Sequence, residues 1–300
     1  MYLNEKSWEI LQDEPYIVDS AIKKFLDIYA EVKRKYPRKE IYVPEDELIY
    51  LRSTKYPLEK WMASADQEYK RLFLTFRGKC IRYSPEDEYE VTFKGETLKG
   101  GTEAYLNESF MMSICLDSNW EQKVIDGEIC SINDSEEEIV HIQNVFDIGQ
   151  LEESSIKDIL AKESSINLYN YDELWRRRAE LFPHLRFCPS VEQNLRELEV
   201  FYLNQVLRKL EELETYCVKY GRGRFDATLL SKTTLESKST MNKYETQHTF
   251  VDEDKVKHIA SWHMRFTGIP GRIYFVPEYK ENCILICYVG KKLPNVTYPT

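Results

Sequence analysis

Four side chains that can hold a phosphate or move a proton alternate with apolar residues near the end of the chain. They are His263, Arg265, Arg272 and Tyr274. Side chains alternate between the two faces of a β-strand, so residues 262–266 and 272–275 each predict a strand with one polar and one apolar face. The intervening sequence Thr-Gly-Ile-Pro-Gly is typical of a turn. The segment therefore predicts an antiparallel hairpin.

One register of this hairpin brings all four polar side chains onto the same face. Pairing His263 with Tyr274 also pairs Arg265 with Arg272, whereas a slip of one residue would turn arginines into the core. The opposite, buried face then consists of Trp262, Met264, Ile273 and Phe275. Facing arginines repel unless an anion or a carboxylate lies between them. We therefore expect an outer face that binds phosphate, or alternatively a solvated face whose arginines pair with acidic residues of the N-terminal half.

The side chains around this face suit RNA chemistry. Guanidinium groups bind phosphate oxygens in a bidentate way. Histidine transfers protons near neutral pH, and tyrosine stacks on bases or donates a hydrogen bond. The apolar run of residues 283–290 predicts a central strand. The residues expected to add nucleic-acid-binding charge are Lys291 and Lys292 at the tip of that strand, and Arg222 and Arg224 after a long helix; for the two lysines, the alternative is a solubilising terminus.

The elements that position these residues follow from hydrophobic periodicity. Residues 17–35 and 57–76 predict helices, and the region from about 79 to 146 predicts an antiparallel sheet with a hairpin turn at Asp126-Gly127. Helices return after residue 150, including a long one from 190 to 220, and strands dominate the remainder. The predicted fold class is α+β, with N-terminal helices and an antiparallel sheet, then a helical segment that leads into a C-terminal antiparallel sheet.

Length and charge predict two domains with different roles. A chain of 300 residues accommodates about two domains, which we place at residues 1–165 and 166–300. Residues 217–300 contain 13 basic and 8 acidic residues, a formal net charge of +5, whereas the rest of the chain has a net charge of −15. A basic segment behind an acidic one is typical of a nucleic-acid-facing domain, although ordinary surface variation is the alternative.

Several classes of protein do not fit the sequence. No apolar run reaches the length of about 20 residues that spans a bilayer, and the N-terminus lacks a signal-peptide pattern, so we expect a cytoplasmic location and no membrane partner. The seven cysteines are scattered and form no CxxC pair. His248, His258 and His263 lack the i, i+4 spacing of a helical metal site. P-loop, GxSxG, HExxH and dinucleotide-binding motifs are missing from the sequence, so we expect no metal and no cofactor.

The C-terminal third of the chain, from about residue 188, resembles the RelE/HigB-like toxins of the RelE/ParE superfamily, which are small prokaryotic messenger-RNA endonucleases. The stretches that carry the resemblance are "GRIYFV" and "ILICYVGKK", which are similar to the family's Arg-(Ile/Val)-Tyr strand, apolar strand and basic exit. The family cleaves RNA without a metal. By this resemblance Arg272 is the phosphate clamp, Arg265 and Lys291 assist it, and either His263 or Tyr274 is the acid/base.

Two functions from different classes remain open at this point. The first is an RNA-binding, metal-independent endoribonuclease component of a prokaryotic anti-phage (antiviral defence) or toxin–antitoxin-type system. In that case the acidic residues 1–165 would be a regulatory or partner-binding domain. The second is a non-enzymatic adaptor or structural subunit of a multi-protein defence complex. Exposed arginines away from carboxylates would favour RNA, whereas arginines paired to Glu or Asp would favour a structural role.

Overall fold

The chain folds into two compact units, Met1–Lys162 and Glu163–Thr300. The structure is a computed structural model. It describes residues 1–9, 12–45, 55–84, 89–131, 134–161, 166, 168–220, 224–266, 271–280 and 282–296. The predicted boundary at residue 165 lies three residues from the division between the units. Each unit combines helices with a sheet, and the predicted α+β class is confirmed.

The N-terminal unit is built on an eight-stranded sheet. Its strands are β1 (Tyr2–Leu3), β2 (Tyr42–Pro44), β3 (Ile81–Tyr83), β4 (Tyr89–Phe93), β5 (Glu96–Thr97), β6 (Phe110–Met112), β7 (Val124–Ser131) and β8 (Asp134–Val145). Its helices are α1 (Pro15–Lys35), α2 (Leu58–Ser64), α3 (Gln67–Lys79), α4 (Lys99–Leu106) and α5 (Ser154–Ala161). The strand order is β3-β2-β1-β6-β8-β7-β4-β5.

Half of this sheet is parallel, which the sequence did not predict. Strands β3, β2, β1, β6 and β8 pair in parallel, and only β8, β7, β4 and β5 form the predicted antiparallel arrangement. Parallel neighbours need a crossover connection, and α1 joins β1 to β2 while α2 and α3 join β2 to β3. The parallel strands β1, β2, β3 and β6 have only two or three residues each, too few to display a period of two.

Two local predictions in this unit were wrong for identifiable reasons. The helix expected over 57–76 is divided, because Ala65 and Asp66 have extended backbone between α2 and α3. Asp126 and Gly127 do not form a turn but lie inside β7, opposite His141 and Val140. Gly127 has a packing role instead: a Cβ atom there would come within 2.6 Å of the Val91 side chain.

The C-terminal unit is built on a five-stranded sheet and a separate hairpin. Its helices are α6 (Tyr171–Leu181), α7 (Ser190–Glu197), α8 (Leu203–Tyr220) and α9 (Lys238–Tyr244). Its strands are β9 (Leu185–Phe187), β10 (Thr233–Leu235), β11 (Thr249–Val251), β12 (Lys257–Ile259), β13 (Trp262–Phe266), β14 (Gly271–Lys280) and β15 (Cys283–Lys291). The sheet order is β10-β13-β14-β15-β9, and β11 pairs with β12.

One continuous apolar core holds the C-terminal unit together. It extends from Leu168 to Val289 and joins the apolar sides of α7 and α8 to the inward face of the sheet. The helix predicted over 190–220 is divided into α7 and α8 by a 3-10 turn at Val200–Tyr202. Strand β9 pairs in parallel with β15, and the Cys188 N–H continues this pairing by donating to the Ile286 carbonyl at 2.9 Å. The sheet therefore includes a strand that precedes the region resembling RelE.

Candidate functional site

The hairpin β13–β14 has the predicted register. His263 lies opposite Tyr274 and Arg265 opposite Arg272, while Trp262 pairs with Phe275 and Met264 with Ile273. The apolar residues Met264, Ile273 and Phe275 are buried in the core that the helices cover. The other face carries the four polar residues, which we call the sheet-face cluster: His263, Arg265, Arg272 and Tyr274.

The expectation that this cluster lies on an outer, open face was wrong. His263 is 5% exposed and Arg265 7%, and Arg272 and Tyr274 are completely buried. Arg272 is among the largest buried side chains, and its Nη1 donates to the Gly271 carbonyl at 3.1 Å. Polar groups are buried at little cost only when they are hydrogen-bonded. The elements that cover the cluster must therefore supply hydrogen-bond partners for its buried polar groups.

The edge strand β10 and the residue after it supply the first part of the cover. Thr234 of β10 lies opposite His263, and its hydroxyl is 2.8 Å from His263 Nε2. Glu236 is 9% exposed and accepts a hydrogen bond from the Tyr274 hydroxyl at 3.1 Å. The same Glu236 oxygen lies 3.4 Å from His263 Nδ1. A carboxylate thus contacts two members of the cluster.

Residues 292–296, which we call the covering segment, supply the second part. The Leu293 N–H donates to the Tyr274 hydroxyl at 3.4 Å. The buried His248 lies against the Tyr274 ring at 5.2 Å between centroids, and its Nε2 is 3.2 Å from the Pro294 carbonyl. The Val296 N–H donates to the Thr240 hydroxyl of α9 at 3.4 Å. The covering segment is therefore attached both to the cluster and to α9.

The cover fixes the protonation states of two cluster residues. Burial lowers the pKa of His263 well below its usual range, and the nearby charges of Arg272, Arg265 and Lys292 lower that pKa further. His263 is therefore neutral at physiological pH. Burial, followed by the adjacent Glu236 carboxylate, raises the pKa of Tyr274. Tyr274 therefore keeps its proton and acts as a hydrogen-bond donor.

Lowering the pH is expected to destabilise the C-terminal unit through His263. Because its pKa is lower in the folded than in the unfolded chain, the unfolded chain binds more protons below about pH 6.5. As the pH is lowered, the titration of this one group should reduce the free energy of unfolding by at most about 1.4 kcal/mol per pH unit. Urea titrations at several pH values measure the effect. His263→Gln cannot titrate and should have a shallower pH dependence than the wild type; parallel curves would contradict the assignment.

The other predicted nucleic-acid-binding residues lie in different surroundings. Lys292 is half-buried and close enough to lower the pKa of His263, whereas Lys291 is exposed at the end of β15. Arg224 lines a separate pocket with the last turn of α8. Arg222 lies outside the described residues. The structure therefore brings Lys292 to the cluster, pairs Lys291 with Gly271, the neighbour of Arg272, and places Arg224 at a separate pocket.

No family model matches this chain, and neither does a curated protein or a solved structure. Within the described residues, no group of three or more His, Cys, Asp or Glu side chains is placed to hold a metal ion. His258, once considered with His248 and His263, pairs instead with Asp252 at 2.8 Å. Across the same described ranges, the helices include none that is long and apolar enough to cross a bilayer.

Sequence reasoning missed Glu236, Thr234 and His248 as members of this site. Glu236 and Thr234 belong to a stretch rich in Ser and Thr that reads as a loop, and β10 has only three residues. Glu236 reaches Tyr274 across 38 positions of sequence, so no local pattern indicates the contact. The one available signal was the alternation of Thr234 and Glu236 with Leu235, which matches a short edge strand.

Proposed function

We propose that Glu163–Thr300 is a RelE-like RNA-binding domain whose phosphate site is the sheet-face cluster in a closed form. The observation that carries the proposal is the register of the hairpin, which places Arg265 opposite Arg272 and next to the His263–Tyr274 pair on one sheet face. Lys292 is also close enough to this face to lower the pKa of His263, as the two arginines do. Guanidinium groups on one sheet face suit a phosphodiester, and a neutral imidazole has the lone pair that a general base requires.

In this proposal the cluster binds RNA only after the covering segment moves, while β10 and Glu236, the other part of the cover, stay in place. Leu293, Pro294 and Val296 of the covering segment make hydrogen bonds of 3.2–3.4 Å, at the long end of the usual range. Such bonds contribute about 0.5–1.5 kcal/mol each, so closure is reversible on the energy scale of a binding partner. The acidic N-terminal unit, or a partner protein of a toxin–antitoxin or anti-phage system, would regulate this opening.

A second function is favoured by a specific observation. Glu236 contacts Tyr274 and His263, and all four cluster residues are buried, which suits a structural role. In that case the cluster rigidifies the sheet of a non-enzymatic adaptor or structural subunit of a defence complex. Its partner would bind elsewhere on the protein.

Ending the chain at Lys292 is expected to raise the affinity for single-stranded RNA roughly 10- to 10³-fold, because the hydrogen bonds of Leu293, Pro294 and Val296 no longer oppose opening. Fluorescence anisotropy with a labelled RNA measures the affinity. If two or three phosphates are contacted, the logarithm of the binding constant should fall with the logarithm of salt concentration with a slope of about −2.

Two further measurements make this test decisive. The gain in affinity should disappear when the shortened chain also carries Arg265→Ala, and circular dichroism should establish that both proteins remain folded. A folded, shortened chain that binds no RNA at low salt would exclude the RNA-binding proposal and leave the adaptor function as the better account.

A further inference from the structure

A second pocket of the C-terminal unit opens at the end of α8. Its volume is about 670 Å³, within the usual range for small-ligand sites. Residues from four places form its walls: His184 before β9, Lys219 and Tyr220 in the last turn of α8, Arg224 after that helix, and Asn282 between β14 and β15. None of the sheet-face cluster residues lines this pocket.

His184 is held in a defined orientation at the pocket wall. Its Nδ1 lies 2.6 Å from Glu214 Oε1, and its backbone N–H donates to Glu214 Oε2 at 3.0 Å. Because both carboxylate oxygens hold His184, its ring cannot turn without losing a contact. The side chain is still 39% exposed, so Nε2 is the nitrogen available to a ligand. Carboxylate–imidazole pairs of this kind position histidines in binding and catalytic sites.

The charge of the pocket favours an anion. Lys219 and Arg224 contribute two cations, and within the described part of the chain neither forms an ion pair. The carboxylate in the wall, Asp226, accepts hydrogen bonds from the Thr228 N–H at 3.0 Å and the Thr228 hydroxyl at 2.6 Å. These bonds lower the pKa of Asp226 and hold its carboxylate against the short 3-10 turn that follows it. A phosphate would thus meet Arg224 and Lys219.

An aromatic surface adjoins these cations. Tyr216 is buried, accepts a hydrogen bond from the Asp226 N–H at 2.8 Å and packs on Phe225 with ring centroids 5.4 Å apart. Tyr220 lies 5.7 Å from the Tyr216 ring and is 47% exposed. A rigid tyrosine therefore supports an exposed one at the rim, and exposed aromatic rings next to cations are the usual platform for a nucleobase.

One polar atom in the wall also points to a bound molecule. Asn282 follows β14 and lines the pocket, and its Oδ1 is buried with no hydrogen-bond partner in the described ranges. Buried acceptors of this kind are usually satisfied by water or by a ligand. The pocket therefore combines two cations, an oriented histidine, an aromatic rim and an acceptor that requires a donor.

We propose that this pocket binds a nucleoside phosphate. Arg224 and Lys219 hold the phosphate, Tyr220 stacks on the base, and His184 donates or accepts a hydrogen bond through Nε2. The nucleoside phosphate is either a free nucleotide or one nucleotide of an RNA strand. This inference does not rest on the function proposed for the sheet-face cluster, because the two sets of residues are distinct.

Calorimetry with the whole 300-residue chain tests the proposal. The probes are inorganic phosphate, adenosine, the four nucleoside 5′-monophosphates and a short single-stranded RNA. We expect at least one monophosphate to bind more tightly than both phosphate and adenosine. Arg224→Ala should weaken that binding roughly 10- to 100-fold by removing a charged hydrogen-bond donor, and Tyr220→Ala should weaken it roughly 5- to 100-fold by removing the stacking surface. Tyr220→Phe should retain the affinity.

Arg208→Ala is the matched control, because Arg208 lies on α8 outside the pocket wall and its loss should leave binding unchanged. If the chain binds RNA more tightly than monophosphates and Arg224→Ala removes this preference, the ligand is a nucleotide of an RNA strand. If RNA binds equally or more weakly, the ligand is a free nucleotide. The proposal is overturned if no probe binds, or if Arg224→Ala and Tyr220→Ala bind as tightly as Arg208→Ala. Ending the chain at Lys292 removes no described residue of the pocket wall, so a failure of either proposal is recognised separately.

Discussion

Replacing Arg272 by alanine is expected to slow RNA cleavage by the chain that ends at Lys292 roughly 10²- to 10³-fold, the loss typical of one preorganised transition-state donor. In the proposed function Arg272 would be the phosphate clamp; its side chain is completely buried, and it lies opposite Arg265 in the hairpin. Cleavage of a labelled RNA under single-turnover conditions measures the rate. His263→Ala should cost roughly 10²- to 10⁴-fold if His263 is the proton-transfer group.

Burial of Arg272 requires a control for lost stability. Ile273 follows Arg272 in β14, and its completely buried side chain points to the opposite sheet face. Ile273→Ala therefore removes a buried side chain without changing the charge. It should lower the free energy of unfolding by about 2–5 kcal/mol while retaining cleavage below its melting temperature. If Arg272→Ala cleaves as fast as the parent chain, or if the parent chain cleaves no RNA, the catalytic form of the proposal fails.

Replacing Leu210 by alanine is expected to lower the free energy of unfolding of the C-terminal unit by about 2–5 kcal/mol. Leu210 is completely buried on α8 within the single core of that unit, so its truncation leaves a cavity. Urea unfolding, combined with limited proteolysis of Glu163–Thr300, measures the loss.

Val218 provides a control on the same helix. Its side chain is 64% exposed, so Val218→Ala should change the free energy of unfolding by no more than about 0.5 kcal/mol. Equal losses in the two variants would mean that α8 does not pack on the sheet through Leu210.

The register of the hairpin β13–β14 could be predicted because it is a local property. The alternation of Trp262, Met264, Ile273 and Phe275 with polar residues fixes which side faces the core, and only one pairing satisfies both strands. The closure of the polar face could not be predicted. It depends on Glu236 and Leu293, which reach Tyr274 across 38 and 19 positions. The short alternation around Glu236 indicates an edge strand but not the strand that it would contact, and Leu293 lies in no periodic pattern.

The difference between local patterns and long-range contacts also explains which parts of the N-terminal unit could be predicted. Helix α1 was predicted because its apolar residues repeat over 21 positions. Strands β1 and β2 contain two and three residues and are defined by their neighbours in the sheet, so their parallel pairing has no signature in their own sequence. Gly127 resembles a turn residue in isolation, but the close approach of Val91 accounts for it.

The pairing of β9 with β15 determines how the C-terminal unit can be isolated for biochemistry. A fragment that begins at residue 188, where the resemblance to RelE begins, would lack β9 and turn β15 into an outer strand. β9 pairs with Ile284, Leu285 and Ile286 of β15, and the backbone N–H and C=O groups of these three apolar residues that bond to β9 would then lose their partners. Unpaired apolar strand edges recruit further strands and aggregate. A fragment that begins at Glu163 retains β9 and should stay monodisperse where the shorter one precipitates.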